Sequence, residues 1–378
     1  MKTFMRLGAR IPGIVLLIYI SVAPAVAQTK TADVVSAADK FLATLTPEQR
    51  QKVLYRFDDQ TQRAHWSNLP TGFVPRGGIS LKQMSAPQRE AATNLLAVVL
   101  SPMGLEKVNE IREADDDFKL NGSRRGPGGR GGRPPAGPPP GGQGGSPPPG
   151  GPGGPGGPRS SDDMFGSSLY YISFLGKPST TTPWMLQFGG HHLALNITIA
   201  GEQGVLTPSL TGAQPATFTL NGKTIRPVGR ESDKALSLLQ SLDPNQSKQA
   251  VLTYSVPDLV LGPGQDGKTI APEGLKASAL NSKQQAMLLD LIEEWAGIIN
   301  QTSAIRRMAQ VKAELNETWF AWSGPTSAEP GSNITAYYRI QGPHLVIEYA
   351  PQRDEPNNHV HTIYRDPTND YGRALVKQ

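Results

Sequence analysis

Cysteine is absent from the 378 residues, which removes disulfides, thiolate zinc sites, iron–sulfur clusters, cysteine nucleophiles and a lipidated N-terminal cysteine from consideration. Charge is scarce, at 18% of residues. Acids are missing altogether from residues 121–160, where 17 Gly and 12 Pro stand among 40 positions. Histidine is sparse too, with six in all, so any imidazole chemistry must come from a few identifiable positions. No apolar run reaches the roughly 20 residues that a membrane-spanning helix requires.

The net charge of +5 at pH 7 is unevenly placed. Lys2, Arg6 and Arg10 precede an uncharged apolar run over 11–22, and Arg124, Arg125, Arg130, Arg133 and Arg159 lie in the Gly/Pro tract. Taking these three and five charges away leaves −3 on the remainder. The pI near 9.3 is therefore no argument for a nucleic-acid partner. The cationic start, the apolar run of about a dozen residues and Ala25-Val26-Ala27 have the form of a secretory signal peptide over 1–27. The sequence predicts cleavage before Gln28 and a soluble mature protein exported to the periplasm or the extracellular space.

From 126 to 158 no apolar residue is larger than Ala, so the segment cannot bury enough surface to offset the entropy of ordering. Its GGP triplets are out of collagen frame, and an exported Arg-Gly-Gly rarely meets RNA. The sequence predicts a disordered Gly/Pro/Arg-rich insertion over 121–161 within a single α+β domain spanning 28–378.

Outside the tract the pattern is helix first and strand later. Thr46-Pro47-Glu48-Gln49, Ser85-Ala86-Pro87 and Ser101-Pro102 are helix starts, with proline at or next to the first helical position. Strands are predicted over 169–174, 184–188 and 191–200. Helices follow over 233–242 and 282–299, then a meander of strands over 318–322, 334–341, 344–349 and 359–365. Without regular βαβ alternation this is an α+β fold, its N-terminal helices and central helical segment packed on a mainly antiparallel sheet.

Alternation along strands turns the histidines into a site hypothesis. If Leu193, Leu195, Ile197 and Ile199 face the core, His192 faces the other way. Leu345, Ile347 and Tyr349 likewise leave His344, Val346 and Glu348 on the opposite face, and His359, His361 and Arg365 share one face of the last strand. The last two predicted strands are hairpin neighbours, so these polar residues gather together. His192, His359, His361 and Glu348 form a candidate nitrogen/oxygen metal site suited to zinc, with copper or iron as alternatives, and His191 stands as an alternative to His192. Glu348 is a ligand or a general base, and Arg365 an anion clamp. Asp115-Asp116-Asp117 reads as a solvated helix end. Neither a nucleophile elbow nor a phosphate-binding loop occurs outside the Gly/Pro tract.

These same stretches resemble a known family. SSLYYISFLGKPS, PWMLQFGGHHLALNITI, VLTPSLTGAQPA, AWSGPT, YYRIQGPHLVIEYA and NHVHTIYRDPTNDYG are similar, in that order, to the bacterial domain-of-unknown-function family 3500. The resemblance implies one domain with the tract inserted in it. His191, His192, Glu348, His359, His361 and Arg365-Asp366 fall at its family-like positions, and it implies no activity. Two function classes follow: an exported metal-dependent hydrolase of some small-molecule substrate, or a non-enzymatic exported ligand-binding or envelope-associated protein.

Overall fold

The computed structural model describes residues 31–122 and 163–376. The predicted signal peptide and nearly all of the predicted disordered insertion lie outside the described residues. Chain order begins with α1 (Thr31–Ala43), α2 (Pro47–Val53), β1 (Leu54–Tyr55), α3 (Gln60–Arg63), β2 (Ile79–Ser80), α4 (Ala86–Val99) and α5 (Pro102–Asn121). A meander follows: β3 (Tyr171–Leu175), β4 (Trp184–Gly190), β5 (Leu193–Ala200) and β6 (Gln203–Ala213). After a small separate hairpin, β7 (Phe218–Leu220) and β8 (Lys223–Ile225), come α6 (Gly229–Gln240), α7 (Pro244–Ala250), β9 (Leu275–Lys276), α8 (Ser282–Ala296) and α9 (Gln301–Ala313). A second meander of β10 (Trp319–Ser323), β11 (Tyr337–Gly342), β12 (Leu345–Pro351) and β13 (Val360–Arg365) precedes the short α10 (Arg373–Val376). The fold is α+β, as the helix-then-strand pattern predicts.

One sheet holds both meanders, in the order β1-β3-β4-β5-β6-β13-β12-β11-β10-β9 with β2 also on β3. Every pairing is antiparallel except β1 with β3. The two meanders meet at the β6–β13 seam, where Thr211 faces Thr362 and Ser209 faces Tyr364.

The order of elements also repeats. Each half runs from paired helices (α1 and α2, then α6 and α7) through a two-residue strand and a 3-10 turn into a helix opened by a capping box. A second helix and a four-stranded meander complete it. In the first half Ser85 N–H is held by Gln88 Oε1 at 2.9 Å, and in the second Asn281 N–H by Gln284 Oε1 at 2.9 Å. The halves touch reciprocally between these helices, with Ser101 N–H donating to Ile298 O at 2.9 Å and Asn300 N–H to Val99 O at 2.8 Å.

Helices from both halves cover one face of the sheet. Phe41, Leu95 and Val108 pack with Leu186, Leu195 and Ile197, and Leu238, Leu288 and Trp295 pack with Ile340, Ile347 and Tyr349. The other face carries a smaller apolar cluster with Leu210, Ile363, Trp66 and Tyr371 beside buried Asn196, Glu348, His361 and Arg365. Irregular chain rather than helix supplies much of the cover there: Trp66 and Tyr371 pack on it, and Val260, Leu261 and Gly262 bond to its polar side chains.

Two central elements escape the sequence pattern. β6 carries Pro208 between Gly204 and Gly212, signals that argue against a central strand, but a register shift between Leu195 and Ile197 lets the ladder skip Thr207 and Pro208. α9 leaves Ile305 exposed and buries only Ser303 and Val311, so its apolar stripe is too thin to stand out. The strand expected over 191–200 begins at Leu193, because His191 and His192 form the turn between β4 and β5.

Candidate metal centre

The β4–β5 turn is closed by the Gly190–Leu193 pair. His192 occupies it with φ of +59°, a left-handed conformation that costs a side-chain-bearing residue roughly 1 kcal/mol or more. Its N–H donates to Asn68 O at 3.2 Å. This turn adjoins the start of β13 because β5 pairs with β6 at Leu193–Thr211 and β6 pairs with β13 at Gly212–His361. Gly212 supplies the room: a Cβ there would lie 3.5 Å from His192 Cβ and 3.4 Å from His361 Cδ2, and only 2.6 Å from Val360 O.

Three imidazoles converge in that space. His192 Nε2 is 3.0 Å from His359 Nε2, which is 3.1 Å from His361 Nε2, and one nitrogen from each residue falls within 4.8 Å of the others. Nitrogens bound to one ion at roughly 2.05 Å are about 2.9 Å apart at right angles and about 3.3 Å apart in a tetrahedron. These two edges lie in that range, and the third nitrogen pair is within 4.8 Å. A single Nε2 also has one in-plane lobe, either a lone pair or an N–H. The His359 nitrogen therefore cannot make a well-formed hydrogen bond to both neighbours at once, whereas one shared cation would satisfy all three.

Burial keeps the His192 and His359 rings neutral, the state in which imidazole ligates. His192 is 3% and His361 5% exposed. Desolvation, reinforced by the neighbouring histidines, holds His192 well below the usual imidazole range and pushes His359 down to about 2.

His191 is brought alongside and does not replace His192. The two rings stack with centroids 3.7 Å apart, and His191 Nδ1 sits 2.7 Å from Asp115 Oδ1. Asp115 is 3% exposed, and its second oxygen accepts Gly166 N–H at 2.9 Å. The expectation of a solvated helix end thus fails for Asp115: α5 turns that side chain inward beneath the site. Asp258, from the covering chain, places Oδ1 3.6 Å from His361 Nδ1 and is fixed by Leu259 N–H at 2.7 Å and Gln352 Nε2 at 2.8 Å. Neither acid is signalled by strand alternation, since one is helical and the other lies between elements.

Glu348 and Arg365 lie on the expected face but outside the histidine group. Glu348 Oε1 accepts Val260 N–H at 2.8 Å and Tyr337 O–H at 2.6 Å, and Oε2 accepts Leu261 N–H at 2.7 Å. Burial raises its carboxyl pKa against the pull of these three bonds. Arg365 Nε donates to Leu261 O at 2.6 Å and Nη2 to Gly262 O at 2.9 Å, while Nη1 bridges Asp266 and Asp370 at 2.9 and 2.8 Å. Arg365 is 1% exposed and its donors are occupied. The expected ligand or base and the expected anion clamp instead tie the covering chain to the sheet. Strand geometry explains the difference: four residues along a strand is about 13 Å, so sharing a face does not bring His361 and Arg365 to one ion. His344 stays apart in the β11–β12 turn, with Nδ1 2.8 Å from Thr368 Oγ1.

The family model described as Protein of unknown function (DUF3500) matches residues 27–373. No curated protein and no solved structure matches the chain significantly. Among the described residues no helix is long and apolar enough to cross a membrane.

Proposed function

This chain belongs to the DUF3500 family, and we propose that it is an exported metalloprotein in which His192, His359 and His361 hold one divalent first-row ion. Zinc is the first choice, with copper or iron as alternatives, and the reaction is metal-dependent hydrolysis of a small-molecule substrate. The observation that carries this reading is the convergence of the three imidazole nitrogens around His359 Nε2. An ion held by these three imidazoles would acidify a bound water. The protein's own contribution is positional. Gly212 leaves space for the rings, Asp115 and His191 back His192 from one side, and Asp258 faces the far nitrogen of His361. Glu348 is read outside this group, since its oxygens accept three bonds from the covering chain and Tyr337. Export rests on the leader pattern over 1–27, and a mature N-terminus read at Gln28 in secreted material tests it.

Elemental analysis of purified protein tests the centre. One equivalent of metal per chain is expected, lost in His192→Ala, His359→Ala and His361→Ala; a metal-poor wild type, or metal retained in all three variants, overturns the reading. The burial of His192 and His361 favours a second reading, in which the ion serves a non-enzymatic binding or envelope-associated protein. Cobalt substitution separates the two: a visible spectrum that responds to azide shows an open coordination position, and an inert spectrum favours the second.

A further inference from the structure

We propose that the protein carries a second ligand site, remote from the histidines in its chemistry, which binds a small organic carboxylate between Phe57, Arg63, Tyr371 and Arg373. A cavity of about 560 Å³ lies there, walled by the 57–64 segment, by Asp266 and Gly267, and by the chain from Asp370 to Val376. That is the size of a pocket for a compact organic molecule.

The acids on its wall are already engaged. Asp266 gives one oxygen to Arg365 at 2.9 Å and the other to Tyr371 O–H at 2.7 Å. Asp370 gives one to Arg365 at 2.8 Å and the other to Asp366 N–H at 3.1 Å. Asp58 is engaged by Arg56 through two bonds of 2.8 and 2.7 Å. The two cations are different. Arg63 is 8% exposed, its guanidinium lies 4.7 Å over the Phe57 ring, and its Nε is buried with no hydrogen-bond partner. Its one hydrogen bond is from Nη2 to Phe57 O, and neither Arg63 nor Arg373 has a carboxylate within ion-pairing distance among the described residues. Desolvation at Arg63 outweighs the through-space attraction of Asp58, and an incoming carboxylate relieves that cost by charge-assisted bonding to the guanidinium. Phe57, Tyr371 and Val376 provide the surface for an apolar body. Tyr371 is held there with φ of +60°, a strained conformation of the kind that clusters at ligand sites. The anion-clamp role expected of Arg365 thus passes to Arg63 and Arg373, with Arg365 organising the acids of the wall.

Ligand-observed NMR on the purified protein, with benzoate as probe and benzamide as its neutral isostere, tests the site. Benzoate should bind and benzamide should not. Arg373→Met should weaken benzoate about tenfold or more, with Arg373→Lys keeping part of the affinity, and Arg63→Met should act in the same direction. Arg373 is partly exposed, so its variants stay informative if Arg63→Met fails to fold. No benzoate binding, equal binding of benzamide, or an unchanged affinity in Arg373→Met overturns the proposal.

Discussion

His192 Nε2 lies 3.0 Å from His359 Nε2 across 167 positions of sequence. The contact crosses the seam between the two meanders, so it is made only when β5, β6 and β13 are in register. His344 occupies the turn of the second meander that corresponds to the turn of His192, closed by Gly342–Leu345 as the other is by Gly190–Leu193. It meets Thr368 instead of further imidazoles. The repeated architecture therefore builds a histidine cluster at one of its two corresponding turns and not at the other.

Gly212→Ala should weaken metal binding without removing a ligand. The added methyl would meet the Val360 carbonyl at 2.6 Å, so the start of β13, which carries His361, must shift. Displacements of this kind typically cost a metal site tenfold or more in affinity, together with about 1–3 kcal/mol of stability from overpacking. Competition titration against a chromogenic chelator measures the first effect and chemical denaturation the second.

Glu348→Gln should leave metal stoichiometry at the wild-type value while lowering stability. Its carboxylate accepts from Val260, Leu261 and Tyr337, and a neutral amide keeps the shape but loses the charge assistance, at about 1–3 kcal/mol. Loss of metal with unchanged stability would mean that Glu348 reaches the ion after all.

Acid should destabilise the metal-stripped protein in a way that depends on His359. An unfolded imidazole takes up a proton as pH falls through about 6.5, while folded His359 resists down to about 2 and folded His192 is held well below its usual range. Their contribution is thus present above pH 6.5 and is lost progressively on acidification below it, each ring adding up to about 1.4 kcal/mol per pH unit. Asp370, pushed up to about 6 by burial, works in the opposite direction, so the informative quantity is a difference between proteins. Denaturation between pH 7 and 4 should show a shallower fall for His359→Gln than for wild type.

Much of this was legible in the residues. Helix starts at Thr46, Ser85 and Ser101 are signalled by capping residues followed by proline, and the two faces of β12 and β13 by strict alternation. The same alternation points to His359 and His361, because two residues apart on one strand is a local rule. It puts Glu348 and Arg365 on the right face but not beside the histidines, because their partners Val260, Leu261 and Gly262 come from irregular chain that no periodicity locates. Asp115 is misread for a related reason: only the packing of α5 against His191 decides which of three successive acids points inward. The repeated order of elements is hidden because it lives in capping geometry and pairing, while the two halves fill those positions with different residues, Ser85 against Asn281 and Gly190-His191-His192 against Gly342-Pro343-His344.

The two halves are also joined by a buried charge cluster, and its test concerns folding, independent of metal. Lys107 on α5 is 1% exposed and its Nζ contacts Glu231 Oε1 on α6, with Glu294 O on α8 at 3.1 Å and Glu294 Oε2 at 3.4 Å. Glu231 is fully buried and its second oxygen has no partner; desolvation raises its pKa, and Lys107 is the main opposing influence. Lys107→Met leaves that carboxylate without its cation, which should cost about 3–5 kcal/mol. Adding Glu231→Gln removes the stranded charge and should recover a large part of the loss, since replacing a whole buried pair is far less damaging than breaking it. Chemical denaturation of the wild type, both single variants and the double variant completes the cycle. Additive effects would show that the pair is not coupled.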